Sequence, residues 1–207
     1  MKKFKNIAWA TDTHFELAND KQFKKFLQSA EEYDTLLITG DIAQATSWQH
    51  YVYKVAKKLA PMPVFFILGN HDIYHSELST EHDKLLSISV DNLYPLTIMP
   101  PYMIADDVAI VGHQNWWDGG YSEEYSNLID RTFMFQDYTL IDNLKGLVTP
   151  EQRFIRLKGM SEASTTIIIE KVKSAFEQVD NVILAVHVPP FKENCTHFGL
   201  PMTTNFL

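Results

Sequence analysis

The chain has 207 residues, 45% of them hydrophobic and 21% charged, which describes an ordinary globular protein and excludes a disordered or fibrous one. Lys and Arg total 18 against 26 Asp and Glu, a formal net charge of −8, so electrostatic capture of a nucleic-acid backbone is not the organising feature. A single cysteine, Cys195, excludes an intrachain disulfide and a thiolate zinc cluster, so any metal here must be held by His, Asp, Glu or Asn.

The first apolar run, Ile7–Ala10, is short and β-branched or aromatic, and reads as a buried strand. Met1-Lys2-Lys3 imitates the start of a signal peptide, but the apolar stretch behind it ends at Asp12, too short for one; no run reaches the ~20 residues of a membrane span. A soluble, cytoplasmic protein is expected. Asn19 and Gln22 form a capping-box signal ahead of Phe23, Phe26, Leu27 and Ala30 at helical spacing. The second strand is Leu36–Thr39. Thr46 and Gln49 repeat the capping signal before Val52, Val55, Ala56 and Leu59, and Pro61 and Pro63 end that helix. The third strand is Val64–Leu68, and a weaker one follows at Val108–Val111.

From Trp116 to Leu147 the chain turns irregular. Trp116, Trp117, Tyr121, Tyr125, Phe133, Phe135 and Tyr138 are scattered among polar residues with no clean period. This is expected to be an insertion with its own aromatic cluster, or a lid or substrate wall, as long irregular segments often are. Thr149-Pro150-Glu151-Gln152 starts a third helix and Thr165–Val179 makes a fourth. Val182–Val186 is the last strand. Strands alternating with helices predict α/β layering in a single domain over 1–207.

The chemistry lies in how the strands end. The first runs into Asp12-Thr13-His14, the second into Gly40-Asp41, the third into Gly69-Asn70-His71-Asp72 and the last into His187-Val188-Pro189-Pro190. Layered α/β folds place ligands at the carboxyl ends of their strands. Asp12 and His14 are two apart and share a face of extended chain. Gly40 and Gly69, lacking Cβ, allow sharp turns and the close approach of an ion. Each piece alone is compatible with a cap or a turn. All of them, in order and each closing an apolar strand, point to a metal site. Carboxylate and amide oxygens mixed with imidazole suit Mn, Fe or Zn rather than Ca²⁺.

Asp12-x-His14, Gly40-Asp41, Gly69-Asn70-His71-Asp72 and the isolated His187 resemble the calcineurin-like metallophosphoesterase superfamily, in the family's order. The resemblance implies a four-layer αββα sandwich holding two metal ions. It assigns Asp12 and His14 to the first, Asp41 to both, and Asn70 and His187 to the second. His71 becomes the substrate-facing histidine, steadied by Asp72. The implied reaction is hydrolysis of a small phosphomonoester or phosphodiester. Two cations ~3.5–4 Å apart offset phosphate charge and acidify a bridging water, which attacks phosphorus in line. An imidazole in the position of His71 suits protonation of the departing alkoxide.

The family pattern also contains a Gly-His-x-His motif after the strand of His187, which is absent before Leu207. Gly112-His113-Gln114-Asn115 is a degenerate copy in the wrong place, and His197 lacks the strand-and-glycine setting. A sandwich lacking its last strand or strands is therefore expected, with weakened metal retention and impaired activity. Whether that reflects a shortened product or a reduced family member is left open by the sequence, as is the oligomeric state. Gln44 and Asp72 stand where protein Ser/Thr phosphatases carry Asp and Glu, which favours a small bacterial or phage-type phosphohydrolase. The competing reading is a scaffold of the same fold that binds a partner without catalysis. A single-metal hydrolase of unrelated fold would leave two strand-end ligands unexplained. His50, His75 and His82 are expected to be solvated.

Overall fold

The computed structural model describes residues 4–118, 136–194, 196–197 and 200–201. Tyr121, Tyr125, Phe133 and Phe135 lie outside them.

Strands β1 (Ile7–Ala10), β2 (Thr35–Thr39), β3 (Val64–Ile67) and β4 (Leu93–Pro95) form an all-parallel sheet in the order β1-β2-β3-β4. A second sheet has the order β5-β6-β7, with β5 (Tyr102–Ala105) antiparallel to β6 (Val108–Gly112) and β6 parallel to β7 (Asn181–Ala185). A small ribbon of β8 (Thr196–His197) and β9 (Leu200–Pro201) follows.

Alternating side chains sort the sheets into layers. On one face of the first sheet, Leu36, Ile38, Val64 and Phe66 pack against Phe23 and Leu27 of α1 (Asp20–Ala30), Val52, Val55, Ala56 and Leu59 of α2 (Trp48–Leu59), and Leu85 of α3 (Leu78–Leu86). On the other face, Leu37, Phe65 and Ile67 meet Ile104, Ile110 and Ala185 of the second sheet. The outer face of that sheet buries Ala109 and Val111 against Ala175 of the long helix α5 (Pro150–Phe176). The result is the expected αββα sandwich, driven by apolar burial worth ~1.5–3 kcal/mol for each fully buried large side chain.

Local signals explain most element starts. Asn19 and Gln22 make the reciprocal capping box of α1, at 3.0 and 2.9 Å, and Thr149 and Gln152 repeat it at α5. Helix α2 departs from expectation: it begins at Trp48 with Ser47 at its cap and no side-chain capping bond. The two C-terminal helices are one, running unbroken through Gly159, where added bulk would meet nothing within 4 Å. Strands β4 and β5 and helix α3 were not anticipated from sequence. A fully buried Glu81 docks α3, accepting from Trp48 Nε1 at 2.6 Å and Lys84 Nζ at 2.8 Å.

Only part of the 116–147 segment is described. There, Trp116 and Trp117, Tyr138 of the short helix α4 (Asp137–Leu140), Ile141 and Leu144 are buried with Ile73, Tyr74, Leu157 and Val188. Its aromatic cluster is therefore shared with the loop after β3 and with α5. Among the described residues no helix is long and apolar enough to cross a membrane.

Candidate metal centre

Parallel pairing of β1, β2 and β3 brings their carboxyl ends side by side, and pairing of β6 with β7 delivers His187 from the second sheet. Backbone bonds lock the first two loops together: Asp12 N–H donates to Gly40 O at 3.1 Å, His14 N–H to Asp41 O at 3.0 Å and Phe15 N–H to Ile42 O at 2.8 Å. Asp12, His14 and Asp41 all adopt left-handed backbone, with φ of 52°, 39° and 50°. Such conformations cost of order 1–3 kcal/mol each in a non-glycine residue and persist where surrounding structure imposes them, chiefly at functional sites.

Asp41 stands at the centre, 4% exposed. Its Oδ1 accepts the His71 N–H at 3.0 Å and lies 3.4 Å from His187 Nε2. Its Oδ2 lies 3.8 Å from His14 Nε2 and 3.9 Å from His71 Nε2. Two groups of potential ligands share this carboxylate: His14, Asp41 and His71, and Asp12, Asp41 and His187. This partition differs from the sequence expectation, which paired Asp12 with His14 and left His71 for substrate.

The donor set could hold a cation. His187 Nδ1 faces the Thr39 carbonyl at 2.8 Å, and since a carbonyl only accepts, Nδ1 carries the proton. In the neutral ring Nε2 is then bare, and it faces Asn70 Oδ1 at 3.1 Å as well as Asp41 Oδ1. Three acceptors converge with no donor among them, an arrangement relieved by a bound cation or by a proton on Nε2. His14 Nδ1 lies 3.6 Å from Glu16, the carboxylate–imidazole pairing that orients metal-binding histidines. The glycines fit the same picture. A Cβ on Gly40 would sit 2.5 Å from His187 Nδ1, and one on Gly69 would sit 2.7 Å from His187 Nε2 and 2.6 Å from Asp41 N.

Asp72 does not meet the expectation drawn for it. It is fully buried, and its carboxylate accepts from the backbone N–H groups of Gly69, Ala43 and Ile42 at 2.8, 2.9 and 3.3 Å. Burial raises its pKa well above the usual carboxylate range, with the nearby Asp41 charge adding to the rise and the three amides opposing it. Its bonds tie the loops after β2 and β3 together. His71 is braced elsewhere: its ring stacks on Tyr74 with centroids 4.2 Å apart, and meets His14 edge-on at 4.8 Å.

Three further residues shape the site without sequence warning. Asn115 Oδ1 accepts the N–H groups of His187 and Val188, and its Nδ2 donates to Val188 O, fixing the turn after β7. Asp137 accepts from Asn70 Nδ2 at 3.0 Å and from the Tyr74 hydroxyl at 2.6 Å. Burial raises its pKa, and both bonds oppose that rise. Thr39 carries the carbonyl that orients His187. His113 joins neither ligand group among the described residues; burial lowers its pKa to about 4. His50, His75 and His82 are exposed, as expected. The side chain of His197 is outside the description.

Asp12, His14, Asp41, Asn70, His71 and His187 line a cavity of about 380 Å³, with Trp9, Trp117, Val186 and Pro189 among its walls. Parallel strands closing on acceptor-rich loops beneath an open cavity give an α/β fold whose strand ends could hold metal ions. The chain belongs to the calcineurin-like phosphoesterase family, whose model matches residues 5–207. Members are metal-dependent hydrolases of phosphoesters, and the fold and ligand groups here agree with that. The fold is similar to the crystal structure of the phosphopantetheinyl hydrolase PptH from Mycobacterium tuberculosis. The two chains are 15% identical and superpose with a TM-score of 0.64, covering 94% of this chain and 72% of that one. No protein with a curated description matches the chain at a significant level.

Proposed function

We propose that this chain is a dinuclear metal-dependent phosphoesterase acting on a small phosphomonoester or phosphodiester. The observation that carries the reading is Asp41, whose two oxygens face two different ligand groups. Asp41 would serve both ions, with His14 on one and Asn70 and His187 on the other, and Asp12, which lies grouped with Asp41 and His187, would complete the set. The mixed oxygen and imidazole set suits Mn, Fe or Zn, with Mn²⁺ the ion of choice in vitro. When bound, the two ions would offset phosphate charge and acidify a water as nucleophile.

The chain's own groups supply the rest. His71 is one-third exposed at the cavity and is braced by Tyr74, a placement that supports proton donation to the leaving oxygen. Asn70 contributes a neutral oxygen, which limits negative charge against an anionic substrate. Asp72 positions the loops that carry Asp41 and Asn70, and Trp9 and Trp117 form walls of the cavity.

The test is metal stoichiometry by elemental analysis after Mn²⁺ loading and desalting, alongside turnover of an aryl phosphate and a bis-aryl phosphate. Close to two ions per chain with turnover is expected. His71→Ala should lose turnover and keep metal, while Asp41→Ala loses both. Zero or one ion, or unaltered behaviour of both variants, would overturn the reading in favour of a binding scaffold.

A further inference from the structure

Asn70 is a side chain whose usefulness depends on which way its amide points. Its oxygen suits a cation, whereas its NH₂ group would repel one, and the two ends have the same shape. The residue that decides is not in any strand-end motif. Asp137 lies 67 positions away on α4, is 2% exposed, and places Oδ1 3.0 Å from Asn70 Nδ2 and 2.6 Å from the Tyr74 hydroxyl. That oxygen already accepts the Tyr74 hydroxyl, so it faces Asn70 as an acceptor. The NH₂ must therefore face Asp137, which leaves Asn70 Oδ1 toward His187 Nε2. The same oxygen holds Tyr74, whose ring lies beneath His71.

Asp137 is delivered firmly. His75 N–H donates to Leu140 O at 2.7 Å, Asp142 N–H to Ser76 O at 2.9 Å, and Leu78 N–H to Asn143 Oδ1 at 2.7 Å, docking 137–144 onto the loop after β3. Tyr138, Ile141 and Leu144 bury beside Ile73 and Tyr74.

We infer that Asp137 is a positioning residue for the metal centre, setting the Asn70 amide for the second ion and the Tyr74–His71 stack for proton transfer. This rests on the phosphoesterase reading above, and the two fail differently. The experiment compares wild type, Asp137→Ala and Asp137→Asn as full chains, by Mn²⁺ titration calorimetry and by NMR of the Asn70 side-chain NH₂ in metal-free protein. Asp137→Ala should weaken the second Mn²⁺ by ~10–100-fold, the usual cost of losing a partner behind a ligand, and leave the first nearly unchanged. Asp137→Asn keeps an acceptor oxygen of the same shape and should recover most of that loss. In metal-free wild type the Asn70 NH₂ protons should exchange slowly with water, and in Asp137→Ala rapidly.

Equal second-ion affinity in Asp137→Ala, or an Asp137→Asn as weak as the alanine variant, would overturn the inference. So would rapid Asn70 NH₂ exchange in wild type, a reading that needs no variant to fold. Wild type that binds no Mn²⁺ would remove the phosphoesterase reading, while the metal-free NMR comparison would still decide the role of Asp137.

Discussion

Asp41 Oδ1 and His187 Nε2 lie 3.4 Å apart, and in the tautomer selected by the Thr39 carbonyl neither atom carries a proton. Replacing the carboxylate by a carboxamide puts a donor among acceptors. In Asp41→Asn the oxygen can keep the His71 N–H, and the NH₂ then faces Nε2 of His14 and of His71. Metal-free Asp41→Asn should be more stable than wild type by ~1 kcal/mol, a rise in Tm of roughly 2–4 °C for a chain of this size. Its Tm should no longer respond to Mn²⁺. Melts in EDTA and in excess Mn²⁺ check this, and a wild-type Mn²⁺ increment in the variant would mean that Asp41 is not the shared ligand.

Gly69→Ala attacks the same point from the backbone. The added methyl would press on Asp41 N at 2.6 Å and His187 Nε2 at 2.7 Å, and backbone cannot step aside cheaply. A loss of ~1–3 kcal/mol is expected from overpacking, with metal affinity falling far more than stability. Urea unfolding paired with Mn²⁺ titration separates the two effects. A variant that loads metal normally would show that the loops are not held as closely as described.

The strand-end residues were legible because each closes an apolar run, so position and chemistry coincide in a short window of sequence. Asp12, His14, Asp41, Asn70, His71 and His187 do converge. What the window hides is what holds them. Asp137 and Asn115 act across separations of 67 and 72–73 residues, and locally Asp137 looks like any acid in a polar aromatic stretch. Asp72 was misread for the opposite reason: adjacency to His71 suggested a partnership, but a fully buried carboxylate goes where unpaired amides need it. The continuity of α5 was obscured by Gly159, whose cost within a helix is only about 1 kcal/mol and is outweighed by apolar packing on either side. Strand β4 is only three residues long and ends in a proline, leaving too little pattern to read.

Asp72→Ala should therefore behave as a fold mutation. It strands three buried N–H groups, at a cost of roughly 3 kcal/mol in unfolding free energy, and loosens the loops of Asp41 and Asn70 together. Chemical denaturation measures the loss. Wild-type stability combined with lost turnover would instead return Asp72 to the side of His71.

His113 gives the chain an acid-sensitive stability. Its imidazole is held neutral by burial, down to about 4 from an ordinary 6.5. The unfolded chain thus binds more protons between those values, and folding stability falls as pH drops from 6.5 to about 4. The loss is on the order of 2–3 kcal/mol. Urea midpoints from pH 7 to pH 4 should fall less steeply in His113→Gln. Parallel curves would mean that the imidazole is hydrated.

Strand β1 ends the described four-stranded sheet, paired only to β2, and its Trp9 is 70% exposed, yet the loop it feeds carries Asp12 and His14. An edge strand has a partner on one side only, so it opens more readily than the interior strands β2 and β3. Ions joining Asp12 and His14 to Asp41 would act as clips across β1 and β2. Loading should then register as slowed amide hydrogen exchange along Ile7–Ala10 while the interior strands, already protected, change little. The chain would then assemble this edge strand and its metal centre in a single event.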